Sequence, residues 1–281
     1  MPQASFFLAK ALYNMTMIRL AQIDDLKVIQ DLCAIDRYRL LFIDGDIAQN
    51  GLHTAYQQTW IDVENDEIRG LFLRYHRNLL LYFKKPLNDH HGFEALLDEH
   101  IKMISACKRD IDQLPQAIKD RFSFRTMTLC ACDELTSVEL RFHPRLVKPQ
   151  DSALIVESLN QIEEFQAMQT QDSKENRINT MFDRITLKKI HGFMIEENQK
   201  VIAHAATTVE TTSAVMIGAV FTLPEYRNQS YGRAVIYAIT KCALDKGQKP
   251  CLFYDNPKAG KTYHDLRYVT FDQWCLGSLK P

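Results

Sequence analysis

The stretch from residue 214 to residue 234 constrains the fold of this chain more than any other. An apolar run of small and β-branched residues ends at Thr222, and the turn Leu223-Pro224-Glu225 follows it. A polar segment that contains two arginines then leads into residues 235–239, whose apolar spacing is that of a helix. The pattern predicts a strand that stops at a basic turn and continues directly as a helix.

The beginning of that helix is predicted to bind an anion such as a diphosphate. The first N–H groups of a helix have no partner within it, and the helix dipole adds partial positive charge there. Gly232 lets a ligand approach the backbone, while Arg227 and Arg233 add forked donors that suit phosphate. The simpler alternative is an ordinary strand-turn-helix with solvated arginines, because short glycine motifs also match by chance.

A second motif follows at a set distance from this turn. After a short apolar run the chain reads Asn256-Pro257, then Ala259 and Tyr263. The order Gln229-x-x-Gly232-x-Ala234, followed by Asn-Pro-x-Ala-x-x-x-Tyr, resembles the GCN5-related N-acetyltransferase (GNAT) superfamily over roughly the last 130 residues. One position departs from the family pattern, since Arg267 stands where a glycine is usual.

The resemblance implies a mixed α/β (α+β) fold in which a central mixed β-sheet is flanked by helices. The first half shows nearly the same order of predicted elements, so we expect a tandem acyl-CoA N-acyltransferase (GNAT) fold. We assign residues 1–16 to an N-terminal extension, 17–147 to a degenerate GNAT-like domain and 148–281 to the catalytic GNAT domain. The first half has no matching phosphate loop, and Asp89 and Glu94 oppose phosphate there. Only the second half is therefore expected to hold the coenzyme.

The resemblance also implies a set of contacts with acetyl-CoA (coenzyme A) as co-substrate. Small strand residues would line the pantetheine arm, and a backbone N–H among them would polarise the thioester carbonyl. The predicted cofactor-binding residues are Gly218, Ala219, Val220, Arg227, Asn228, Gln229, Ser230, Tyr231, Gly232, Arg233, Ala234, Asn256 and Lys258.

Two residues are predicted to act in catalysis. Tyr263 is the candidate general acid for the departing sulfur, because a phenol has the required donor. Glu210 is the candidate general base, with His204 or a chain of water molecules as alternatives.

The predicted activity is direct transfer of an acetyl or other short acyl group from acetyl-CoA to an amine of a small molecule or peptide. A catalytically silent acyl-CoA-binding sensor is the main alternative, and an aminoacyl-tRNA-dependent transferase of related tandem fold is another. Residues 255–262 also approach a nucleotide-binding phosphate loop. Asp255 replaces its first glycine, however, and too few residues follow to complete a nucleotide hydrolase.

Composition narrows the partners and the compartment. A net charge of −1 gives no general attraction to nucleic acid or to an anionic membrane. No apolar stretch approaches the length of a membrane span. The seven cysteines are mostly scattered within apolar runs, which is typical of reduced thiols in a cytoplasmic protein. We therefore expect no metal, nucleic acid or membrane, and a cytoplasmic protein for which a homodimer is one open assembly.

Short patterns predict further elements. Residues 137–142 and 153–156 are predicted to be strands, and residues 92–103, 110–122 and 159–168 to be helices.

Overall fold

The computed structural model describes residues 17–162, 165 and 173–281. The predicted extension 1–16 and much of the end of the predicted helix 159–168 lie outside the described residues. The chain divides into two compact units. The first contains residues up to 128 together with 272–281, and the second contains residues 129–271. The predicted domain boundary between residues 147 and 148 stays a prediction.

In the first unit, one strand and two helices precede a run of strands. Its elements are β1 (Met17–Leu20), α1 (Leu26–Ile35), α2 (Leu41–Asn50), β2 (Gln57–Glu64), β3 (Glu67–Tyr75), β4 (Asn78–Phe83), α3 (His90–Leu96), β5 (Met103–Cys107), α4 (Lys108–Ile111) and α5 (Gln116–Lys119). The strand β6 (Phe122–Ala131) follows and has residues on both sides of the division at residue 128.

The second unit repeats this order. Its elements are β7 (Arg145–Leu146), α6 (Ser152–Leu159), α7 (Lys174–Thr186), β8 (Gly192–Glu197), β9 (Lys200–Glu210), β10 (Ala214–Thr222), α8 (Tyr231–Asp245), β11 (Lys249–Tyr254) and α9 (Pro257–Asp265). The last strand, β12 (Val269–Leu279), crosses the division after residue 271, and its residues 274–278, which belong to the first unit, pair antiparallel with β5.

Each unit contains a mixed sheet. In the first unit the order β1-β2-β3-β4-β5 is antiparallel except for the parallel pair β4–β5. In the second unit the order β7-β8-β9-β10-β11 is antiparallel except for the parallel pair β10–β11. The predicted α/β architecture, a mixed sheet flanked by helices, is therefore confirmed, and it occurs twice along the chain.

A specific ion pair recurs at the start of both units and supports a true repeat. Arg19 forms two hydrogen bonds with the Asp25 carboxylate, at 2.7 and 2.8 Å. Arg145 forms the same two bonds with Asp151, at the same distances. In each unit the carboxylate also accepts a backbone N–H from three residues earlier. Identical residue types in identical roles indicate duplication more strongly than the order of elements alone.

Two predicted strands are wrong. Residues 153–156 lie in α6, because a four-residue apolar run suits a buried helix as well as a strand. The preceding 3-10 turn, Pro149–Asp151, leads the chain directly into that helix. Residues 137–142 form no strand. Their alternating apolar side chains Val138 and Phe142 contact the core of the second unit without pairing to a strand.

Two predicted helices are shorter than expected. The helix predicted at residues 92–103 ends at Leu96, and the apolar residues that follow lead into β5. The predicted helix 110–122 is split into α4 and α5, since Pro115 precedes α5 and has no N–H to continue a helix.

All seven cysteines are free thiols. In the described part of the chain, no helix combines the length and apolar character needed to cross a membrane.

Candidate coenzyme site

The parallel strands β10 and β11 diverge, and the opening between them is the main candidate site. They pair only over residues 214–216 and 249–251. β10 nevertheless continues to Thr222 and β11 to Tyr254. Beyond the last pair, the backbone groups that face each other across the opening are not joined by ladder hydrogen bonds. A ligand that contains amides can supply such bonds by lying between the strands.

The wall of the opening formed by β10 carries a bulge. The register between β10 and β9 shifts between Gly218 and Phe221, so Ala219 and Val220 together face a single residue of β9. Ala219 has a φ of 48°, a left-handed conformation that is uncommon for a residue with a β-carbon. A bulge releases backbone groups from the ladder, which leaves N–H groups able to polarise a carbonyl in the opening.

The N-terminus of α8 follows this strand and is open. Ser230 precedes the helix with a φ of 70° and provides no side-chain cap, and Asn228 has a φ of 62°. The N–H groups of Tyr231, Gly232 and Arg233 make no hydrogen bond to the described part of the chain. Left-handed residues within a turn create a concave cluster of N–H groups that binds anions. The predicted loop therefore has the geometry of an anion site.

The side chains around this turn leave space and add positive charge. A β-carbon on Gly232 would lie only 3.0 Å from Thr222 Oγ1, so the glycine keeps the first helical turn accessible at the end of β10. Arg233 Nε is buried and has no hydrogen-bond partner among the described residues. Arg227 Nε donates to the Thr222 carbonyl at 3.2 Å. Gln229 Nε2 donates to a carbonyl four residues earlier, also at 3.2 Å, which fixes the turn.

Two of the predicted loop residues face the interior with their side chains. Tyr231 stacks on Phe142, with ring centroids 3.9 Å apart, and its hydroxyl donates to Glu197 Oε1 at 3.1 Å. Ala234 is buried on the face of α8 that covers the sheet. These two residues can contact a ligand at the anion site only through their backbone.

The segment after β11 contains the remaining predicted residues. Asn256 precedes α9, and its Oδ1 accepts the Lys258 N–H at 2.9 Å, so this side chain caps the helix. Tyr263 is only 7% exposed, and its ring lies 5.5 Å from that of Tyr254. Burial raises the pKa of the Tyr263 phenol, so the phenol keeps its proton at neutral pH, as a general acid must.

Sequence patterns did not single out Tyr254 and His264, which form a fixed pair beside Tyr263. Tyr254 Oη lies 2.8 Å from His264 Nε2, and His264 Nδ1 lies 2.8 Å from the Tyr268 carbonyl. Because a carbonyl only accepts, Nδ1 carries the proton and the Tyr254 hydroxyl donates to Nε2. A β-carbon on Gly260 would lie 2.3 Å from the Tyr254 ring, so the glycine provides the space for this ring. The sequence signal that could have pointed to this pair was Gly260, because the chain contains few glycines.

Glu210, the predicted base, already has partners. Its Oε1 lies 2.6 Å from His191 Nδ1 and accepts the Thr207 hydroxyl at 2.5 Å. It pairs along the sheet with Val215. That places it roughly 10 Å along the strand from Gly218, at about 3.4 Å per residue. The structure therefore does not bring Glu210 directly to the bulge.

His204, the alternative base, supports the bulge instead. It is 2% exposed, and its Nδ1 lies 2.8 Å from the Ala219 carbonyl. Burial lowers the pKa of His204 to about 4, so the imidazole is neutral at pH 7 and Nδ1–H donates to that carbonyl. This bond holds Ala219 in its left-handed conformation.

The buried imidazole of His204 should make stability depend on pH. Below pH 6.5 the unfolded chain takes up a proton that the folded chain, with a His204 pKa of about 4, does not. The free energy of unfolding should therefore fall by about 3 kcal/mol between pH 6.5 and 4 through this residue, with no contribution above pH 6.5. Urea denaturation at several pH values, compared with His204→Gln, measures this difference. Equal pH slopes in the two proteins would contradict it.

The first unit has an equivalent opening, but its own side chains fill it. β4 and β5 pair only over residues 78–80 and 103–105. At the end of β4, the Phe83 N–H donates to Asp110 Oδ1 at 2.9 Å. Asp110 is 1% exposed and also forms an ion pair with Arg39, whose Nη2 donates to the Phe83 carbonyl at 3.1 Å. Both backbone groups of Phe83 are thus occupied.

The helix start in the first unit is also occupied. Asp89 precedes α3, and its Oδ1 accepts the Gly92 N–H at 2.8 Å. Its Oδ2 accepts the Ile18 N–H at 3.1 Å. A carboxylate on these N–H groups repels an anionic ligand, whereas the start of α8 in the second unit carries no such cap.

Arg267, which stands where the family pattern has a glycine, adopts a φ of 71°. This left-handed conformation is the one that favours glycine.

Among the described residues, no group of three or more His, Cys, Asp or Glu side chains is arranged to hold a metal ion.

Comparison with known families identifies a matching segment in the second unit. Residues 156–266 match the profile described as "Acetyltransferase (GNAT) family". The matched segment contains the bulge, the open start of α8 and Tyr263. No curated protein sequence matches the chain. The chain therefore carries a domain of the GNAT acetyltransferase family at residues 156–266.

Solved structures are similar to nearly the whole chain. A GCN5-related N-acetyltransferase from Sphaerobacter thermophilus has a TM-score of 0.65 at 13% identity, covering 95% of this chain and 96% of that one. A tandem GNAT protein from the clavulanic acid biosynthesis pathway has a TM-score of 0.58 at 10% identity, covering 95% and 99%. A GNAT-family acetyltransferase from Colwellia psychrerythraea has a TM-score of 0.57 at 13% identity, covering 94% and 100%. At these identities the similarity shows the fold, and the predicted tandem GNAT fold is confirmed.

Proposed function

We propose that the second unit transfers an acetyl or other short acyl group from acetyl-CoA directly to an amine. The observation that carries this proposal is the divergence of β10 and β11 immediately beside the uncapped start of α8. An acyl carrier that has a diphosphate at one end and two amides along its arm matches both features. The N–H groups of residues 231–233 would hold the diphosphate, and the arm would lie in the opening.

Acyl transfer then requires three events at the bulge. A backbone N–H near Ala219 and Val220 would donate to the thioester oxygen as negative charge develops on it. The amine nitrogen would bond to the carbonyl carbon, after which the carbon–sulfur bond breaks. The departing thiolate would take its proton from the Tyr263 hydroxyl, which regains a proton from solvent. The amine's own proton would leave to a base.

We propose Glu210 as that base, acting through water. Its Oε1 is engaged by His191 and Thr207, so Oε2 is the oxygen left to receive a proton. The distance along β9 requires an intervening water rather than direct contact with the amine.

The first unit is proposed to bind no coenzyme. The Arg39–Asp110 pair occupies its opening, and Asp89 caps the equivalent helix start. The assignment of residues 17–147 as a degenerate domain and 148–281 as the catalytic domain belongs to the same proposal.

A catalytically silent acyl-CoA sensor is the second candidate. The observation that favours it is the engagement of Glu210 with His191 and Thr207, since a carboxylate held in this way can serve structure alone.

Calorimetry with acetyl-CoA, followed by thiol release in the presence of amines, separates these functions. An enzyme should bind acetyl-CoA and release coenzyme A faster with at least one amine. A sensor should bind it and show no amine-dependent release. Absence of acetyl-CoA binding would overturn both candidates.

A further inference from the structure

A cavity of about 80 Å³ lies beside the bulge in the second unit. Ala219 and His204 line one part of it, and Ile155 of α6 with Met181 and Ile185 of α7 line another. Ala219 thus belongs both to this cavity and to the wall of the opening proposed for the acyl carrier. A group bound in the cavity lies next to the place where the thioester carbonyl would lie.

His204 offers one hydrogen-bond acceptor to this cavity. Its Nδ1–H is committed to the Ala219 carbonyl, so Nε2 carries a lone pair. Within the described residues the hydrogen bond of the His204 ring is made by Nδ1 alone, and the residue is only 2% exposed. A β-carbon on Gly192, which also lines the cavity, would lie 3.3 Å from Nε2. A buried acceptor of this kind is stabilised by a ligand that donates an N–H.

The remaining lining selects against a positive charge. No acidic side chain lines the cavity among the described residues. The one charged group there is Arg184, whose Nη2 donates to the Thr208 carbonyl at 3.0 Å. An ammonium ion in the cavity would lie beside the Arg184 guanidinium, and the nearby carboxylate of Glu210 is already bonded to His191 and Thr207. This environment favours the uncharged amine. The uncharged amine is also the nucleophilic form.

The volume limits the size of the group that fits. A cavity of about 150 Å³ takes up benzene, so about 80 Å³ has room for roughly three to four carbon atoms. Aliphatic side chains on two helices make this space suitable for a branched hydrocarbon group.

We propose that this cavity binds the acceptor, and that the acceptor is a primary amine with a compact aliphatic group, bound uncharged with its N–H donating to His204 Nε2. The inference rests on the proposed acyltransferase function and adds the class of its substrate. His204 acts as a positioning residue in this arrangement, because it orients the amine lone pair toward the opening while the proton leaves elsewhere.

Binding can be tested without the coenzyme. Protein labelled with 13C at the methionine methyl groups is titrated with isobutylamine at pH 9, with its neutral isostere isobutanol and with the polycation spermidine. The Met181 resonance is assigned from Met181→Leu. Isobutylamine and isobutanol should shift this resonance, and spermidine should not. If neither isobutylamine nor isobutanol shifts the Met181 resonance, or if spermidine shifts it equally, the proposal is wrong.

Two variants then test the position of the group. Gly192→Ala places a methyl group 3.3 Å from Nε2 and should weaken isobutylamine binding by about tenfold, the equivalent of one hydrogen bond. Ile185→Ala enlarges the cavity and should raise the affinity for the longer isopentylamine. Acetyl-CoA affinity should change less than about twofold in both. If acetyl-CoA fails to bind while the Met181 shift persists, the proposed function is wrong and the amine site stands. If neither variant changes amine binding, the site is wrong whatever the coenzyme does.

Discussion

Replacing Gly232 with aspartate is expected to weaken acetyl-CoA binding by about a hundredfold or more. The new carboxylate would lie in the first turn of α8, where the N–H groups of residues 231–233 are open, and would repel a diphosphate. It would also press against Thr222 Oγ1, which lies 3.0 Å from the added β-carbon. Calorimetry measures the affinity, and the thermal unfolding midpoint verifies that the chain still folds.

Three control variants separate the effect of a negative charge at residue 232 from the effects of side-chain size and of the net charge of the protein. Gly232→Ala adds only the β-carbon and should reduce affinity modestly, and adding Thr222→Ala should restore it by removing the crowded hydroxyl. Lys246→Gln makes the same change in net charge at the far end of α8 and should leave affinity within about twofold. Equal acetyl-CoA affinities for the wild type and Gly232→Asp would show that the start of α8 does not bind the diphosphate.

Replacing Tyr263 with phenylalanine is expected to lower kcat by about a hundredfold with little change in acetyl-CoA affinity. The substitution removes a single hydroxyl from a buried ring, and with it the proton that the thiolate would receive. Because burial raises the pKa of this phenol, the wild-type activity should not decline through Tyr263 ionisation between pH 7 and 9. Steady-state thiol release over this pH range, with the best amine, measures both effects.

The neighbouring tyrosines provide matched controls. Tyr268→Phe removes a buried hydroxyl that lies 2.6 Å from Thr240 Oγ1, so it should affect stability and leave kcat nearly unchanged. Tyr254→Phe breaks the bond to His264 and reports whether that pair contributes to turnover. A Tyr263→Phe enzyme with full kcat would assign the protonation of sulfur to another group.

Much of the second unit could be predicted because its signals are local. The strand β10, the turn after it and the helix α8 follow from apolar periodicity and from Pro224 and Gly232. The mixed sheet and tandem fold followed from the order of elements and from the resemblance. What the sequence did not show was that Ser230 and Asn228 adopt left-handed conformations, since tertiary contacts impose these on residues with side chains.

Long-range contacts limited the prediction of the catalytic residues. Glu210 lies near His191 only after β8 and β9 pair, so no local pattern reveals that its carboxylate is engaged by this histidine. The bond from His204 to Ala219 likewise joins two strands. The prediction of a strand at residues 153–156 was wrong for a different reason. Four apolar residues contain too little periodic information to separate a strand from a helix.

The Arg39–Asp110 pair of the first unit has an evolutionary consequence. Losing Asp110 alone would leave the Arg39 guanidinium, whose side chain is 11% exposed, without its most buried counter-ion. Removing one member of a buried pair destabilises a protein by about 3–5 kcal/mol when the other charge is left uncompensated, and the loss here should be smaller because Asp36 stays paired with Arg39. Losing Asp89 alone would free the N–H groups at the start of α3, but the Arg39–Asp110 pair would still occupy the opening between β4 and β5. Under the proposed function, coenzyme binding by the first unit would need both changes together, and neither change alone would complete a site. The proposed division of labour between the two units would therefore be self-preserving.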